Sequence, residues 1–378
     1  YGAKSVPTPA MDALAADGIR FAQAYAQVPI TLPSHAVILT GTYPMANGVR
    51  DFTSSGIPPK VGLLAEAFKR QGYSTAAFVS AFVLDRTWGF GRGFDTYDDH
   101  FDPRQFETMN PGNIQRRADV TIDRLLTWLK ARGTGTAASR PFFVWLHLFD
   151  PHSDYNPPEP FRTRFAGRLY DGEVAYTDAQ LARLFGAMRK SGAYDRSLIV
   201  LLSDHGESLG EHGEDEHGFF VYNSTVHVPL LIKPPRGQAA PRVVAHPVGT
   251  IDVAPTLLEM LRLRDPLSRQ FQGTSLASHV VGKTLPADRP VYAETYYPSN
   301  SFGWAPLRSV TTRRLRYIEA PRPEIYDLAS DPQESRNLID QRRGDCGQRH
   351  HDNHDALGVR ADDQQQAVDD DLEEVLFF

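Results

Sequence analysis

Thr31-Leu32-Pro33-Ser34-His35-Ala36-Val37-Ile38-Leu39-Thr40-Gly41 is the most informative stretch of this chain. A hydroxyl stands just ahead of a proline, an apolar run follows, and Gly41 with Pro44 behind it supplies a stop. Proline suits the first turn of a helix, where its missing N–H would be unpaired anyway, and glycine followed by proline ends helices. The pattern predicts a short helix opened by Pro33 and closed at Gly41. Thr31 then lies at the positive end of the helix dipole, where an anion is stabilised. Threonine is also a good N-cap, so plain capping is the competing reading.

Outward from this stretch, apolar runs alternate with amphipathic ones, the pattern of an α/β sandwich with a largely parallel sheet. Helices are expected from Pro9 to Gly18 with Thr8 as cap, and over Pro59–Gln71, Ile114–Lys130, Gly172–Lys190 and Asp252–Leu261. Strands are expected over Thr75–Phe82, Phe142–Leu148, Ser197–Leu202 and Pro229–Ile232. From about Pro290 short strands follow one another (Val291–Glu294, Leu307–Thr311, Leu315–Glu319, Ile325–Leu328), which predicts a small antiparallel C-terminal subdomain. The segment after Gly133, rich in Gly, Thr and Ser, reads as a surface link. Residues 341–378 are rich in Asp, Gln, Arg and His and read as a disordered or non-native tail.

The chain has 378 residues, a formal net charge of -6 and a single cysteine, Cys346. The charge argues against a nucleic-acid partner, and one cysteine excludes an internal disulfide framework. No run of about 18 apolar residues marks a membrane span. Compartment and oligomeric state stay open.

Polar clusters follow two of the expected strands: Asp150, His152 and Asp154 after Leu148, and Asp204 with His205 after Leu202. Ligands of open α/β sheets bind beyond the carboxyl ends of strands. A carboxylate beside an imidazole suits a divalent cation, with Ca²⁺ less suited than Zn²⁺ or Mn²⁺, although an Asp-His pair is equally a solvated strand end. Gly206-Glu207-Ser208-Leu209-Gly210 fits the Gly-x-Ser-x-Gly elbow of α/β-hydrolases, but five residues separate Ser208 from the strand and no helical pattern follows. His205, His212 and His217 among Glu211, Glu214, Asp215 and Glu216 read either as a metal-binding loop or as a solvated acidic one. Arg313, Arg314 and Arg316 read as a solvated strand face from which Arg316 reaches an anionic substrate. Tyr155 and Trp145 read as core.

In this setting the Thr31–Gly41 stretch resembles the sulfatase signature, Cys/Ser-x-Pro-Ser-Arg followed by Leu-Thr-Gly. Ser203-Asp204-His205-Gly206-Glu207-Ser208-Leu209-Gly210-Glu211-His212-Gly213 resembles the family's second metal segment, and Phe149-Asp150-Pro151-His152 its Asp-Pro-His stretch. Val228 to Ile232 and Tyr326-Asp327-Leu328 with Asp331-Pro332 resemble later landmarks, so the likeness runs in order from about Tyr1 to Asp340. It implies the sulfatase and alkaline phosphatase superfamily: an alkaline-phosphatase-like sandwich with a core over 1–285, a C-terminal subdomain over 286–340 and a tail over 341–378. It further implies hydrolysis of sulfate or phosphate esters with one or two divalent metal ions (Ca, Mn, Zn or Mg). Thr31 takes the nucleophile position and is a metal ligand with Asp204 and His205. His152 contacts the ester and protonates the leaving group. Ser34, His35, His217 and Arg316 bind the anionic ester.

The departures from the signature are chemical. A threonine cannot give the formylglycine aldehyde, because its Cβ bears a methyl, so no formylglycine is expected and an unmodified alkoxide attacking phosphorus is the reasonable route. His35 replaces the signature arginine, and Val79-Ser80-Ala81-Phe82 replaces the Gly-Lys-Trp-His segment, which removes fixed positive charge and favours a less charged substrate such as a diester. Family members begin with a strand ending in metal-binding aspartates, and this chain starts after that point. The expectation is an absent N-terminal piece, poor metal binding and little activity. A catalytically silent binding domain and a phosphodiesterase or phosphotransferase of the same superfamily are the alternatives.

Overall fold

The computed structural model describes residues 4–133, 140–283, 289–341 and 374–377. Its strands are β1 (Ile19–Tyr25), β2 (Ser74–Phe78), β3 (Thr96–Asp98), β4 (Phe142–Leu146), β5 (Ser197–Leu202), β6 (His227–Lys233), β7 (Arg242–Gly249), β8 (Val291–Thr295), β9 (Leu307–Thr311), β10 (Leu315–Glu319), β11 (Glu324–Asp327) and β12 (Glu374–Phe377). Eight of them form one sheet in the order β3-β2-β4-β12-β5-β6-β1-β7. All neighbours are parallel except where β6 runs against β5 and β1. The carboxyl ends of β1, β2, β4 and β5 therefore share one edge.

The central strands are apolar on both faces, as a sheet covered by helices on both sides requires. Phe143 and Trp145 of β4, Leu198 and Val200 of β5 and Val375 of β12 join one core cluster. Phe142, Val144 and Leu146, Ile199 and Leu201, and Leu376 join the other. The helices Thr31–Thr40, Leu64–Arg70 and Val253–Met260 cover the first face. Pro9–Ala16, Ala118–Arg132 and Leu169–Ser191 cover the second. A second sheet, antiparallel in the order β11-β10-β9-β8, packs Val291, Ala293, Ile318 and Tyr326 against Tyr25 and Val226.

Several boundaries differ from expectation for identifiable reasons. The signature helix begins at Thr31, not Pro33, after an extended Ile30, and Pro33 occupies its first turn. All ten of its residues are buried, as an apolar helix without a polar face must be. The Pro59–Gln71 helix starts only at Leu64, because the Glu66 carboxylate accepts the Leu63 N–H at 2.8 Å and caps the chain there. The helix expected from Ile114 starts at Ala118, whose N–H is taken by Asp150 at 2.9 Å. β1, β3 and β7 were not expected. β7 is an edge strand, where Pro247 is tolerated.

The tail reading is corrected at its end. Residues 374–377 pair in parallel with both β4 and β5. Val375 and Leu376 are fully buried, because two facing parallel strands leave backbone groups that only an intervening strand can satisfy. The rest of 342–373, and the link at 134–139, lie outside the described residues.

Candidate active site

Three connections leave the carboxyl edge of the large sheet and meet. The segment after β1 leads to Thr31, that after β4 to His147 and His152, and that after β5 to Asp204 and His205. Thr31 Oγ1 lies 3.0 Å from His205 Nε2. The other ring nitrogen of His205, Nδ1, is 2.8 Å from the Gly206 carbonyl, an acceptor only. Nδ1 therefore carries the proton, and Nε2 presents its lone pair to the Thr31 hydroxyl. The N-cap is Ile30 and Thr31 is the first helical residue, with its hydroxyl facing the histidine. Gly206 permits this turn: a Cβ there would sit 2.1 Å from the Ser224 carbonyl oxygen.

Asp204 holds the centre. Its Oδ2 has no hydrogen-bond partner and lies 3.5 Å from His205 Nε2 and 3.4 Å from His35 Nδ1. Ser34, fully buried, donates to the Asp204 carbonyl at 2.6 Å. Its hydroxyl thereby ties the signature helix to the Asp204 backbone. His35 donates from Nδ1 to the Thr31 carbonyl at 2.9 Å, and its ring packs on His147 and Trp145.

The Asp150-His152-Asp154 cluster is split. Asp150 is buried as the cap of Ala118–Arg132, and Asp154 is exposed. Only His152 faces the site, with its ring 5.2 Å from that of His217. Glu173, from the long helix Leu169–Ser191, accepts the His152 and Asn156 N–H groups at 3.0 and 2.6 Å. His217 stacks at 4.2 Å on His205 and pairs with Glu207 at 3.5 Å.

The remaining candidates lie apart. His212 is exposed and stacked on Tyr222, with Nε2 3.1 Å from the Gln333 carbonyl. Ser208 is fully buried and donates to Glu211, which excludes the elbow reading. Glu214, expected in a solvated loop, is buried and accepts the Phe219 N–H at 2.7 Å. Arg316 is also corrected: it is fully buried and donates to Thr311 Oγ1 and to Glu334 at 2.8 Å, so its charge is spent inside the protein. Sequence reasoning missed His147, Glu173 and Glu207, which become site residues only when the strand ends meet.

Burial governs the electrostatics. It depresses His35 and His217, the latter strongly, and pushes His147 down to about 3. Burial alone would raise Asp204, but the imidazoles of His205, His35, His147 and His217 favour its charged form and hold it below the usual carboxylate range. Burial raises Glu207, and raises Glu173 to about 7 despite its two N–H donors. Burial thus disfavours the charged forms of His35, His147 and His217, which weakens His217 as a grip for an anion.

Among the described residues, the side chains present do not by themselves complete a cation site. Asp204 and His205 converge, but no group of three or more His, Cys, Asp or Glu side chains with metal-holding geometry occurs among the described residues. A divalent cation takes at least four donors.

A family model described as Sulfatase matches residues 1–263, more than two thirds of the chain. The chain belongs to the sulfatase family. A second model, for the C-terminal part of N-sulphoglucosamine sulphohydrolase, matches residues 210–354. An uncharacterized sulfatase, YidJ, of Escherichia coli is 25% identical, covering 91% of this chain and 80% of the relative. The phosphonate monoester hydrolase of Agrobacterium radiobacter superimposes with a TM-score of 0.77 at 21% identity, covering 94% of this chain and 91% of that one. A protein solved in complex with its substrate D-glucosamine-2-N,6-O-disulfate superimposes with a TM-score of 0.75 at 20% identity, covering 94% and 93%. This sulfatase-like ester hydrolase thus shares its alkaline-phosphatase-like fold with enzymes named for sulfate and for phosphonate esters.

Proposed function

We propose that this sulfatase-family chain hydrolyses singly charged esters of sulfuric or phosphoric acid, with Thr31 as nucleophile and His205 as its base. The observation that carries the reading is the 3.0 Å contact between Thr31 Oγ1 and His205 Nε2, whose Nδ1 faces the Gly206 carbonyl. A nucleophile and base within hydrogen-bond reach, with the base held by a third group, is the arrangement covalent catalysis needs. The Thr31 proton passes to His205 Nε2 as its oxygen bonds to sulfur or phosphorus. Asp204 Oδ2, unpartnered and 3.5 Å away, stabilises the imidazolium that forms. The bond to the leaving oxygen breaks, and that oxygen takes the Nε2 proton of His152 in its imidazolium form, whose Nδ1–H is held by the Ser153 carbonyl and which becomes neutral in the step. Water then attacks the Thr31 ester, gives a proton back through His152, and restores the hydroxyl as His205 returns its own.

The charge of Asp204 and the lack of a lysine or arginine among these groups favour a monoanion over a dianion. A divalent cation supplied from outside the described residues would add charge stabilisation, but no step here depends on it. The incomplete cation site equally supports the second reading, a silent binding domain. A panel of aryl sulfate, phosphate monoester and phosphodiester substrates separates the two. Turnover of monoanions that is lost in Thr31→Ala supports the hydrolase. Binding without turnover on every substrate supports the silent domain.

A further inference from the structure

The large sheet has a second opening, at the edge away from the catalytic groups. Phe142 begins β4, whose far end leads to His147, and the residues between them at about 3.3 Å each put the two about 16 Å apart. On the Phe142 side the helices Ala118–Arg132 and Leu169–Ser191 both end, at Gly133 and Gly192. Between their last turns lies a cavity of about 350 Å³, within the range of small-molecule sites. Its apolar lining is Leu126, Leu129, Phe142, Ala187, Met188 and Ala193. The two alanines leave space that larger side chains would fill.

The rim is basic. Among the described residues, Lys130, Arg132 and Arg196 line it and no acidic side chain does. The nearest carboxylate along the chain, Asp195, pairs with Arg236 at 3.1 Å, and Asp123 pairs with Arg183. Arg132 donates to the Arg140 carbonyl, and Arg196 to the Gly192 carbonyl at 3.1 Å. The two long helices bring their carbonyl ends to this edge, each equivalent to about half a negative charge. The Lys130 ammonium alone offsets both, and the arginines add to it, so the rim favours an anion.

The interior suits a flexible chain better than a flat ring. Phe142 supplies the one ring of the lining, and it is already engaged. Trp128 meets it edge-on at 5.8 Å, and the Arg132 guanidinium lies over it at 5.1 Å. The other apolar groups are aliphatic, and the thioether of Met188 adapts its shape to what it touches. At about 30 Å³ for a water-sized group, the cavity takes a chain of about ten carbons with its head at the rim.

We propose that this cavity binds a medium-chain fatty acid, with the alkyl chain among Leu126, Leu129 and Met188 and the carboxylate at Lys130, as a site separate from the catalytic pocket. Calorimetric titration with decanoate, octanoate and decyltrimethylammonium on the native chain, Thr31→Ala, Lys130→Glu and Ala187→Phe tests it. These probes carry no ester bond to be cut, so binding is read apart from turnover. Decanoate is expected to bind at one site per chain, equally in native and Thr31→Ala protein. Octanoate, two methylenes shorter, should bind about ten-fold more weakly. Lys130→Glu should lower the decanoate affinity about three- to ten-fold, and Ala187→Phe should abolish binding. Circular dichroism checks that each variant is folded, and Lys130→Glu, at an exposed position, keeps the test decisive if Ala187→Phe does not fold. Absence of saturable binding up to about 1 mM decanoate overturns the proposal. Equal affinity for the cation, or affinity unchanged in Lys130→Glu and Ala187→Phe, does so too. Binding lost in Thr31→Ala would place the anion in the catalytic pocket and likewise overturns it. So does sedimentation of the native chain as a dimer that Ala187→Phe converts to monomer, because a second copy then fills the cavity.

Discussion

Thr31 Oγ1 and His205 Nε2 are 3.0 Å apart although the two residues are 174 positions apart in the chain. The Gly206 carbonyl occupies the opposite nitrogen of the ring and sets which tautomer faces the hydroxyl. On the proposed reading this contact lets the histidine take the hydroxyl proton.

Thr31→Ala is expected to lower kcat on any hydrolysed substrate by at least about 10³-fold, and His205→Gln by about 10²- to 10⁴-fold. Thr31→Ser keeps the hydroxyl and should retain most of the rate. Steady-state kinetics with circular dichroism of each variant checks this. Full activity in Thr31→Ala would remove the nucleophile assignment.

The Glu173 carboxylate is buried beneath the His152 loop. Its folded pKa of about 7 exceeds the ordinary 4.5, so between these values the native state binds more protons than the unfolded state. Stability should therefore fall as pH rises from about 4.5 to 7. Urea denaturation at several pH values should show this slope, and Glu173→Gln should flatten it. Glu173→Ala leaves the His152 and Asn156 N–H groups unpaired, at a cost of about 2–4 kcal/mol, and should lower kcat more than it raises KM.

The three expected ligands Thr31, Asp204 and His205 converge, but no group of three or more His, Cys, Asp or Glu side chains that could hold a metal occurs among the described residues. Calorimetric titration with Mn²⁺ or Ca²⁺ is expected to show no sub-micromolar site. A tight site abolished by Asp204→Asn would show that a cation completes this pocket.

Arg316 and Glu334 are both essentially inaccessible. Arg316→Ala strands the Glu334 carboxylate and should cost about 3–5 kcal/mol, with KM unchanged in whatever fraction stays folded. A raised KM at unchanged stability would return Arg316 to the substrate.

Val375 and Leu376 sit at the centre of the large sheet. Val375→Asp places an unpaired charge there and is expected to destabilise by more than about 4 kcal/mol, seen as a loss of cooperative thermal unfolding. An unchanged melting curve would mean that this segment does not hold β4 and β5 together.

Much of this protein was legible in residue order alone. The alternation of apolar and amphipathic runs implied the mostly parallel sheet, and the four short strands after Pro290 implied the antiparallel one. The Thr31–Gly41, Asp-Pro-His and Ser203–Gly213 stretches marked the site, because strand ends and helix starts are local features. β1 and β7 escaped because their fit depends on neighbours, and β12 because four residues in a polar setting make no pattern.

The sequence by itself determined which chemical groups are present: a threonine that cannot become an aldehyde, a histidine in place of arginine, an Asp-His pair after an apolar strand. Only the tertiary structure decided what each group does. Asp150 and Asp204 both follow apolar strands, yet one caps a helix while the other is left with an unpartnered oxygen among imidazoles. Arg314 and Arg316 lie two residues apart, yet only Arg316 is enclosed. The reason is physical: a side chain's charge, proton and reach are set by what packs against it, and those neighbours are brought in from distant parts of the chain.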